Sequence, residues 1–287
     1  MVEMVVIGGG PAGMAAALQC SRSGMEAVLF EKGELGGLLR EANLVENYLG
    51  FPGGLPGAEL CSRFSEQLRR QGVEVRREEV LSLDHDGERF VIRTAEGEER
   101  AEMAIMATGT VPSRPGTGLA ADGELVFDSV LPLADWRGMS IAVLGGGDAA
   151  YDYALRLSAA NTVTIVSRSC PRSLPLLRKR AEESPSVSIL DRAALTGTRR
   201  TGGRLSIDLM HNGSPLALET DALLLAVGRD PADGLLRGPL RDRSESLIKD
   251  GVFYIAGDVV NGHRRQAAIA AADGIRAAMG ARETRER

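Results

Sequence analysis

Apolar positions along this chain fall into two kinds of stretch. Short runs at 5–7, 101–107, 141–144 and 252–257 read as buried strands, and Glu102 interrupts only one of them. Longer Ala- and Leu-rich stretches after residues 10 and 147, and over 266–279, have helical length. Residues 57–71 place apolar and charged positions at helical spacing, which predicts an amphipathic helix. Further strands are expected at 73–76, 80–83 and 90–94, with turns at Asp86-Gly87 and Glu96-Gly97, and then at 187–190, 205–209 and 220–226. The stretch 33–54 is glycine-rich. The Pro- and Gly-rich segment 111–135 reads as a crossing into a second domain, and the polar segment 239–247 as the return. The mixed-charge tail 281–287 is expected to fray.

The alternation of strand and helix is repeated. Residues 4–32 (MVVIGGGPAGMAAALQCSRSGMEAVLFEK) and 141–169 (IAVLGGGDAAYDYALRLSAANTVTIVSRS) share one plan: apolar strand, glycine cluster, helix, second strand. Gly8 matches Gly145, Gly10 matches Gly147, Gly13 matches Ala150 and Leu18 matches Leu155, all at an offset of 137. Each copy holds a dinucleotide fingerprint. The first glycine makes the turn, the second lets a pyrophosphate approach the backbone, and the third position lets helix and strand pack closely. The helix N-terminus then offers unpaired N–H groups to an anion.

The second strands separate the two sites. Glu31 lies 18 residues after Gly13 and ends the second strand of the first copy. A carboxylate there accepts hydrogen bonds from a ribose diol. Adding 137 lands on Arg168, which fits a 2′-phosphate, with Arg172 assisting. The first site is therefore expected to hold an adenosine with free ribose hydroxyls, and the second to prefer NADPH over NADH.

Composition narrows the class. With 287 residues the chain can form two domains, and 44% hydrophobic with 25% charged residues is globular. No apolar run approaches the roughly 18 residues of a membrane span, and the chain starts in an apolar strand without a basic leader. A net charge of −5 argues against nucleic acid as a partner. Three widely spaced cysteines argue against a disulfide framework or a zinc site, so a reducing, cytoplasmic setting is expected. Cys20 and Cys61 fall on expected helices and read as core; Cys170 reads as surface. The histidines at 85, 211 and 263 read as loop residues, and no His/Cys/Asp cluster marks a general acid or base.

Several segments together resemble the two-domain flavoproteins of the low-molecular-weight thioredoxin reductase type. They are VIGGGPAG (6–13), GGLL (36–39), ENYLGFPGG (46–54), ATG (107–109), VLGGGDAA (143–150), AVGRDP (226–231), GVFYIAGDV (251–259) and RRQAAIAAADG (264–274). The resemblance implies an α/β fold with two Rossmann-like dinucleotide-binding domains of three-layer ββα type. A discontinuous FAD-binding domain would span 1–112 and 246–287, and an NAD(P)H-binding domain 113–245. It also implies a homodimer. Carried over position by position, Gly8, Gly10, Gly13 and Glu31 would hold the FAD pyrophosphate and adenosine. Gly37, Asn47 and Gly109 would lie along the flavin. Asp258 would bind the ribityl chain or a pyrophosphate-linked water, and Gln266 and Ala267 would touch the isoalloxazine pyrimidine edge. Gly145, Gly147, Ala150, Arg168 and Arg172 would hold the nicotinamide nucleotide. A residue such as Asp258, at a strand end before a helix, also reads as a helix N-cap.

One departure changes the expected chemistry. Thioredoxin reductases carry Cys-x-x-Cys just before the second glycine-rich strand; here that stretch is FDSVLPLADWRGM (127–139). A dithiol relay needs a nucleophile and a resolving partner within bonding distance. The stretch 130–155, with Asp152–Leu155, is similar to thioredoxin-reductase-like ferredoxin/flavodoxin–NADP reductases, although this chain ends in ARETRER without their aromatic or histidine ring. The expectation is electron transfer from NADPH through FAD to a non-disulfide acceptor, either a protein or a small molecule. The alternatives are a flavin-dependent small-molecule oxidase or dehydrogenase, and a protein that holds FAD and nucleotide without turnover.

Overall fold

The computed structural model describes residues 2–113 and 124–287. The chain divides into two compact units: Met1–Arg40, Val45–Val111 and Asp230–Arg287 form the first, and Glu41–Leu44 and Pro112–Arg229 the second.

The first unit is laid down in chain order as β1 (Val2–Ile7), α1 (Pro11–Arg22), β2 (Ala27–Phe30), α2 (Gly57–Arg70), β3 (Glu74–Arg76), β4 (Ser82–His85), β5 (Phe90–Arg93) and β6 (Glu98–Met106). After β7 (Thr110–Pro112) the second unit follows. It comprises β8 (Val126–Phe127), β9 (Ser140–Leu144), α3 (Asp148–Leu157), β10 (Thr162–Val166), α4 (Pro175–Glu183), β11 (Val187–Leu190), β12 (Ala193–Thr201), β13 (Arg204–His211), β14 (Ser214–Thr220) and β15 (Ala222–Leu225). Next come β16 (Arg229–Pro231), which pairs with β7, and then α5 (Gly238–Lys249), β17 (Phe253–Ile255) and α6 (Ala267–Arg285) of the first unit.

In the first unit the sheet order is β3-β2-β1-β6-β5-β4, with β17 also on β6. β1, β2, β3 and β17 run parallel to their neighbours, whereas β4 and β5 are antiparallel. Strand alternation sends Met4 and Val6 of β1 to one face and Val5 and Ile7 to the other. The first face packs on α1 and α6 through Ala12, Ala16, Ala270, Ala277 and Ala281. The second packs on Phe90, Phe253 and the α5 side chains Leu240 and Leu247. α6 is built of small residues because its backbone lies directly on α1. A Cβ on Gly274 would overlap Ala12 O, and one on Gly257 (φ +82°) would lie 2.7 Å from Ala12 Cβ.

The second unit has a parallel sheet, β11-β10-β9-β15-β8. Ile141 and Val143 of β9 face α3 and α4, while Ala142 and Leu144 face an antiparallel sheet, β12-β13-β14. The result is the three-layer arrangement of helix, parallel sheet and antiparallel sheet.

Several expectations shift. The return to the first unit falls at Asp230, where the sequence placed it at 246. The polar segment 239–247 is part of α5, because Leu240 and Leu247 bury one face of an otherwise charged helix. The tail does not fray: α6 continues to Arg285, with Ala281 buried and Arg285 donating to Glu3 and to Gly24 O. The strand expected at 80–83 begins at Ser82. The stretch expected as one strand at 220–226 is two, ending β14 and forming β15. β12 and α4 had no strong apolar period and were not expected. Of the crossing expected at 111–135, positions 114–123 lie outside the described residues, and β8 joins the second sheet. Among the described residues no helix is long and apolar enough to cross a membrane.

Candidate nucleotide sites

The two glycine turns are built alike. In the first, Gly8 N donates to Phe30 O (2.8 Å) and Ala107 N to Ile7 O (2.8 Å). Gly8 has φ +105°, and a Cβ there would overlap Ala107 O. In the second, Gly145 N donates to Val166 O (2.9 Å) and Ala226 N to Leu144 O (2.8 Å). Gly145 has φ +155°, and a Cβ there would overlap Ala226 O. Glycine is required at both positions by the close approach of a neighbouring strand end. The ATG and AVG segments therefore occupy equivalent places, and Gly109 and Gly228 both have positive φ.

The middle glycines differ in kind. A Cβ on Gly10 or Gly147 would meet nothing within 4 Å. Both are helix N-caps without a side-chain cap. Open space over uncapped N–H groups is what a pyrophosphate needs. Both turns thus fit a dinucleotide, on the evidence of backbone shape and donor set. At the third position a Cβ on Gly13 would overlap Gly8 O, whereas Ala150 is accommodated and fully buried.

Bonding after the second strands corrects the expected alignment. Phe30 O and Val166 O receive the matching turn bonds, so Phe30 is equivalent to Val166 and the offset is 136 by that point. Gly36 N donates to Gly9 O (2.8 Å), and Arg172 N to Gly146 O (2.7 Å), again at 136. One residue is missing between the start of the helix and the second strand. The structural counterpart of Glu31 is therefore Ser167, and Arg168 is the residue after it. A Cβ on Gly9 would lie 2.9 Å from Glu31 Cβ, and one on Gly146 3.1 Å from Ser167 Cβ.

This sharpens the contrast between the sites. Glu31 Oε2 accepts Gly9 N (2.6 Å) and Oε1 accepts Gly33 N (2.8 Å), which anchors a half-buried carboxylate beside the turn. Ser167 is buried and donates to Ser169 O (2.9 Å). Arg168 and Arg172 are exposed and make no ion pair among the described residues, in a chain whose arginines are widely paired.

The remaining expected residues of the first site converge. Asn47 Nδ2 donates to Gln266 Oε1 (2.6 Å) across 219 residues of sequence. Gln266 is the N-cap residue of α6 and Ala267 its first residue. Gly37 lies against Gly10, where a Cβ would come within 3.3 Å of Gly10 Cα. Gly257 packs on Ala12, which brings Asp258 to the end of α1 that carries the glycine turn. Asp258 is not the N-cap of α6, since Gln266, eight positions further on, holds that place. Thr108 Oγ1 donates to Ala232 O (2.7 Å) and Ala232 N to Gly109 O (3.0 Å), which fixes the ATG segment.

Sequence reasoning missed a polar group on α3 in the second unit. Tyr153 OH donates to Glu41 Oε2 (2.7 Å), Arg156 to Glu41 O (2.9 Å), and Asn43 N to Asp152 Oδ2 (2.7 Å). Burial pushes the Asp152 carboxyl up from the usual carboxylate range. The segment Glu41–Leu44 has no period or motif that signals such docking.

Two of the three thiols are buried. Burial pushes Cys20 up to about 12 and Cys61 up to about 11, whereas thiolate is the reactive form. Cys170 is exposed on the loop between Arg168 and Arg172. No cysteine lies within three positions of another. Among the described residues no group of three His, Cys, Asp or Glu could hold a metal ion.

Comparison with known proteins agrees with this geometry. A bifunctional thioredoxin reductase/thioredoxin of Mycobacterium leprae is 35% identical over 97% of this chain, which spans 65% of that protein. A thioredoxin reductase of Streptomyces coelicolor is 34% identical over 97% of this chain and 92% of its own. The crystal structure of T. acidophilum thioredoxin reductase superposes with a TM-score of 0.88 at 25% identity, covering 100% of this chain and 99% of the other. These relatives lend no support to the ferredoxin/flavodoxin–NADP reductase subtype. Thioredoxin-reductase-like proteins of this kind use FAD and NADPH. The family described as pyridine nucleotide-disulphide oxidoreductase matches residues 2–274, and this chain belongs to it.

Proposed function

We propose that the first unit holds FAD, the second holds NADPH, and electrons pass from NADPH through FAD to an acceptor that is not a disulfide. The observation that carries this reading is the asymmetry of two otherwise equivalent turns. Glu31 offers a diol acceptor at one, and Ser167-Arg168 offers a neutral residue and a cation at the other. When bound, the flavin supplies the redox chemistry. The chain's own residues bind and orient. Gly10 and Gly147 admit the pyrophosphates, Glu31 grips the adenosine ribose, and the Asn47–Gln266 pair with the α6 N-terminus flanks the flavin edge. Asp258 adds an acceptor near the glycine turn, while Arg168 and Arg172 take the 2′-phosphate. The reading includes a cytoplasmic homodimer. The outer face of α6 leaves Ile269, Ile275 and Met279 between 38% and 49% exposed, which suits burial against a second copy.

The test is anaerobic mixing of the purified yellow protein with NADPH. FAD should be the flavin released on denaturation, and it should bleach rapidly with NADPH and slowly with NADH. Bleaching only by another small molecule would point to an oxidase or dehydrogenase. No bleaching at all would leave a binding protein.

The non-disulfide acceptor is tested separately. A Cys20→Ala, Cys61→Ala, Cys170→Ala variant should keep NADPH-driven bleaching and dye reduction within a few fold. Some stability should be lost, because buried cysteines pack as small hydrophobes. Collapse of dye turnover with FAD still bound would place a thiol on the electron path.

A further inference from the structure

The two units close the loop after the second strand by different means. In the first unit Gly36 and Gly37, at φ +117° and +53°, let the chain fold back so that Gly36 N reaches Gly9 O. The matching loop of the second unit, SRSCPRSL at 167–174, makes the equivalent bond from Arg172 N to Gly146 O without any glycine. Side chains hold it instead. Asp148 Oδ1 accepts Leu174 N (2.7 Å). Arg178, in the first turn of α4, reaches back so that Nη2 donates to Pro171 O (3.0 Å) and to Ser173 O (3.3 Å). These are the carbonyls on either side of Arg172. Both bonds leave from one nitrogen at the far end of the side chain, so its reach and direction set them.

We infer that Arg178 is a positioning residue of the nucleotide site. By gathering the carbonyls of Pro171 and Ser173 it fixes the backbone on both sides of Arg172. Together with the bond from Arg172 N to Gly146 O it sets where the backbone presents Arg172. Without it the loop would have to be ordered by the ligand, and that ordering subtracts from affinity. The inference rests on the proposal that this loop takes the 2′-phosphate.

The experiment is calorimetric titration of the flavin-loaded protein with 2′,5′-ADP and with 5′-AMP, in wild type, Arg178→Met, Arg178→Lys and Arg168→Ala. Wild type should favour 2′,5′-ADP by about tenfold or more. Arg178→Met should weaken 2′,5′-ADP by about five- to thirtyfold and leave 5′-AMP within about twofold. Arg178→Lys keeps the charge but its ammonium, one bond closer to the backbone, stops short of the Nη2 position, and it should lose most of the same affinity. In turnover, KM for NADPH should rise while kcat and the flavin spectrum hold. Unaltered 2′,5′-ADP binding in Arg178→Met, alongside a loss in Arg168→Ala, would overturn the positioning role alone. Full recovery in Arg178→Lys would assign the effect to charge and likewise overturn it. If wild type does not distinguish the two ligands, the 2′-phosphate site falls and this inference with it. Should Arg178→Met fail to fold, Arg178→Lys decides.

Discussion

Gly13→Ala is expected to strip the protein of FAD and to lower its stability by about 3 kcal/mol or more. The added Cβ would overlap Gly8 O, and a carbon–oxygen contact needs about 3.3 Å, so α1 would have to withdraw by roughly 1.5 Å. It cannot do so freely, because its other side lies against Gly274 of α6, with no room there for even a Cβ. Withdrawal would also lift the N–H groups of α1 away from the turn that admits the pyrophosphate. The gain in helix propensity from Gly to Ala is only about 1 kcal/mol and does not offset this. The second copy supplies the control: Ala150 already occupies the equivalent place, and Ala150→Gly should cost about 1 kcal/mol and leave FAD bound. Flavin absorbance per protein and the thermal midpoint measure both. Wild-type flavin content in Gly13→Ala would refute the steric argument.

The second large effect concerns nucleotide choice. Arg168→Ala should weaken NADPH by about ten- to a hundredfold, since a charge-assisted phosphate contact contributes roughly 1.5–3 kcal/mol. NADH should be nearly unaffected. Ser167→Glu tests the corrected alignment from the opposite side. It places a carboxylate where Glu31 stands in the first unit, so it should repel a 2′-phosphate and accept a ribose diol. Preference should move toward NADH by about tenfold or more. Kinetics with both nucleotides read the outcome. Equal losses for NADPH and NADH in Arg168→Ala would show that this arginine does not read the phosphate. An unchanged preference in Ser167→Glu would undo the equivalence of Ser167 with Glu31.

The glycine turns were legible from the chain alone because their requirements are local. Gly8 and Gly145 need positive φ beside a strand end, and Gly13 needs the absence of a Cβ. Such demands leave a mark in residue type and spacing. The alternation of Met4 and Val6 against Val5 and Ile7 likewise announces a sheet covered on both faces, and the repeated pattern announces two units. The expected partners of the first site, Asn47 and Gln266, came from resemblance, and their hydrogen bond is a fact of the fold.

Tertiary structure decided what depends on where distant elements meet. An ungapped offset made Arg168 the counterpart of Glu31, yet the shift to Ser167 arises between a helix end and the next strand, where no residue type records it. It is set by which carbonyl, Phe30 O or Val166 O, meets the turn across the sheet. The segment 239–247 looked like a polar crossing because only Leu240, Leu247 and Ser244 are buried, and the sheet they cover lies elsewhere in the sequence. The need for glycine at 274 comes from Ala12, which is 262 residues away. Arg178 was one arginine among many until the fold laid it under Pro171 and Ser173. Sequence by itself determined the two turns, since backbone sterics act over a few residues. Register, the closing crossing and the support of the nucleotide loop were decided by contacts between residues far apart in the chain, which no local pattern encodes.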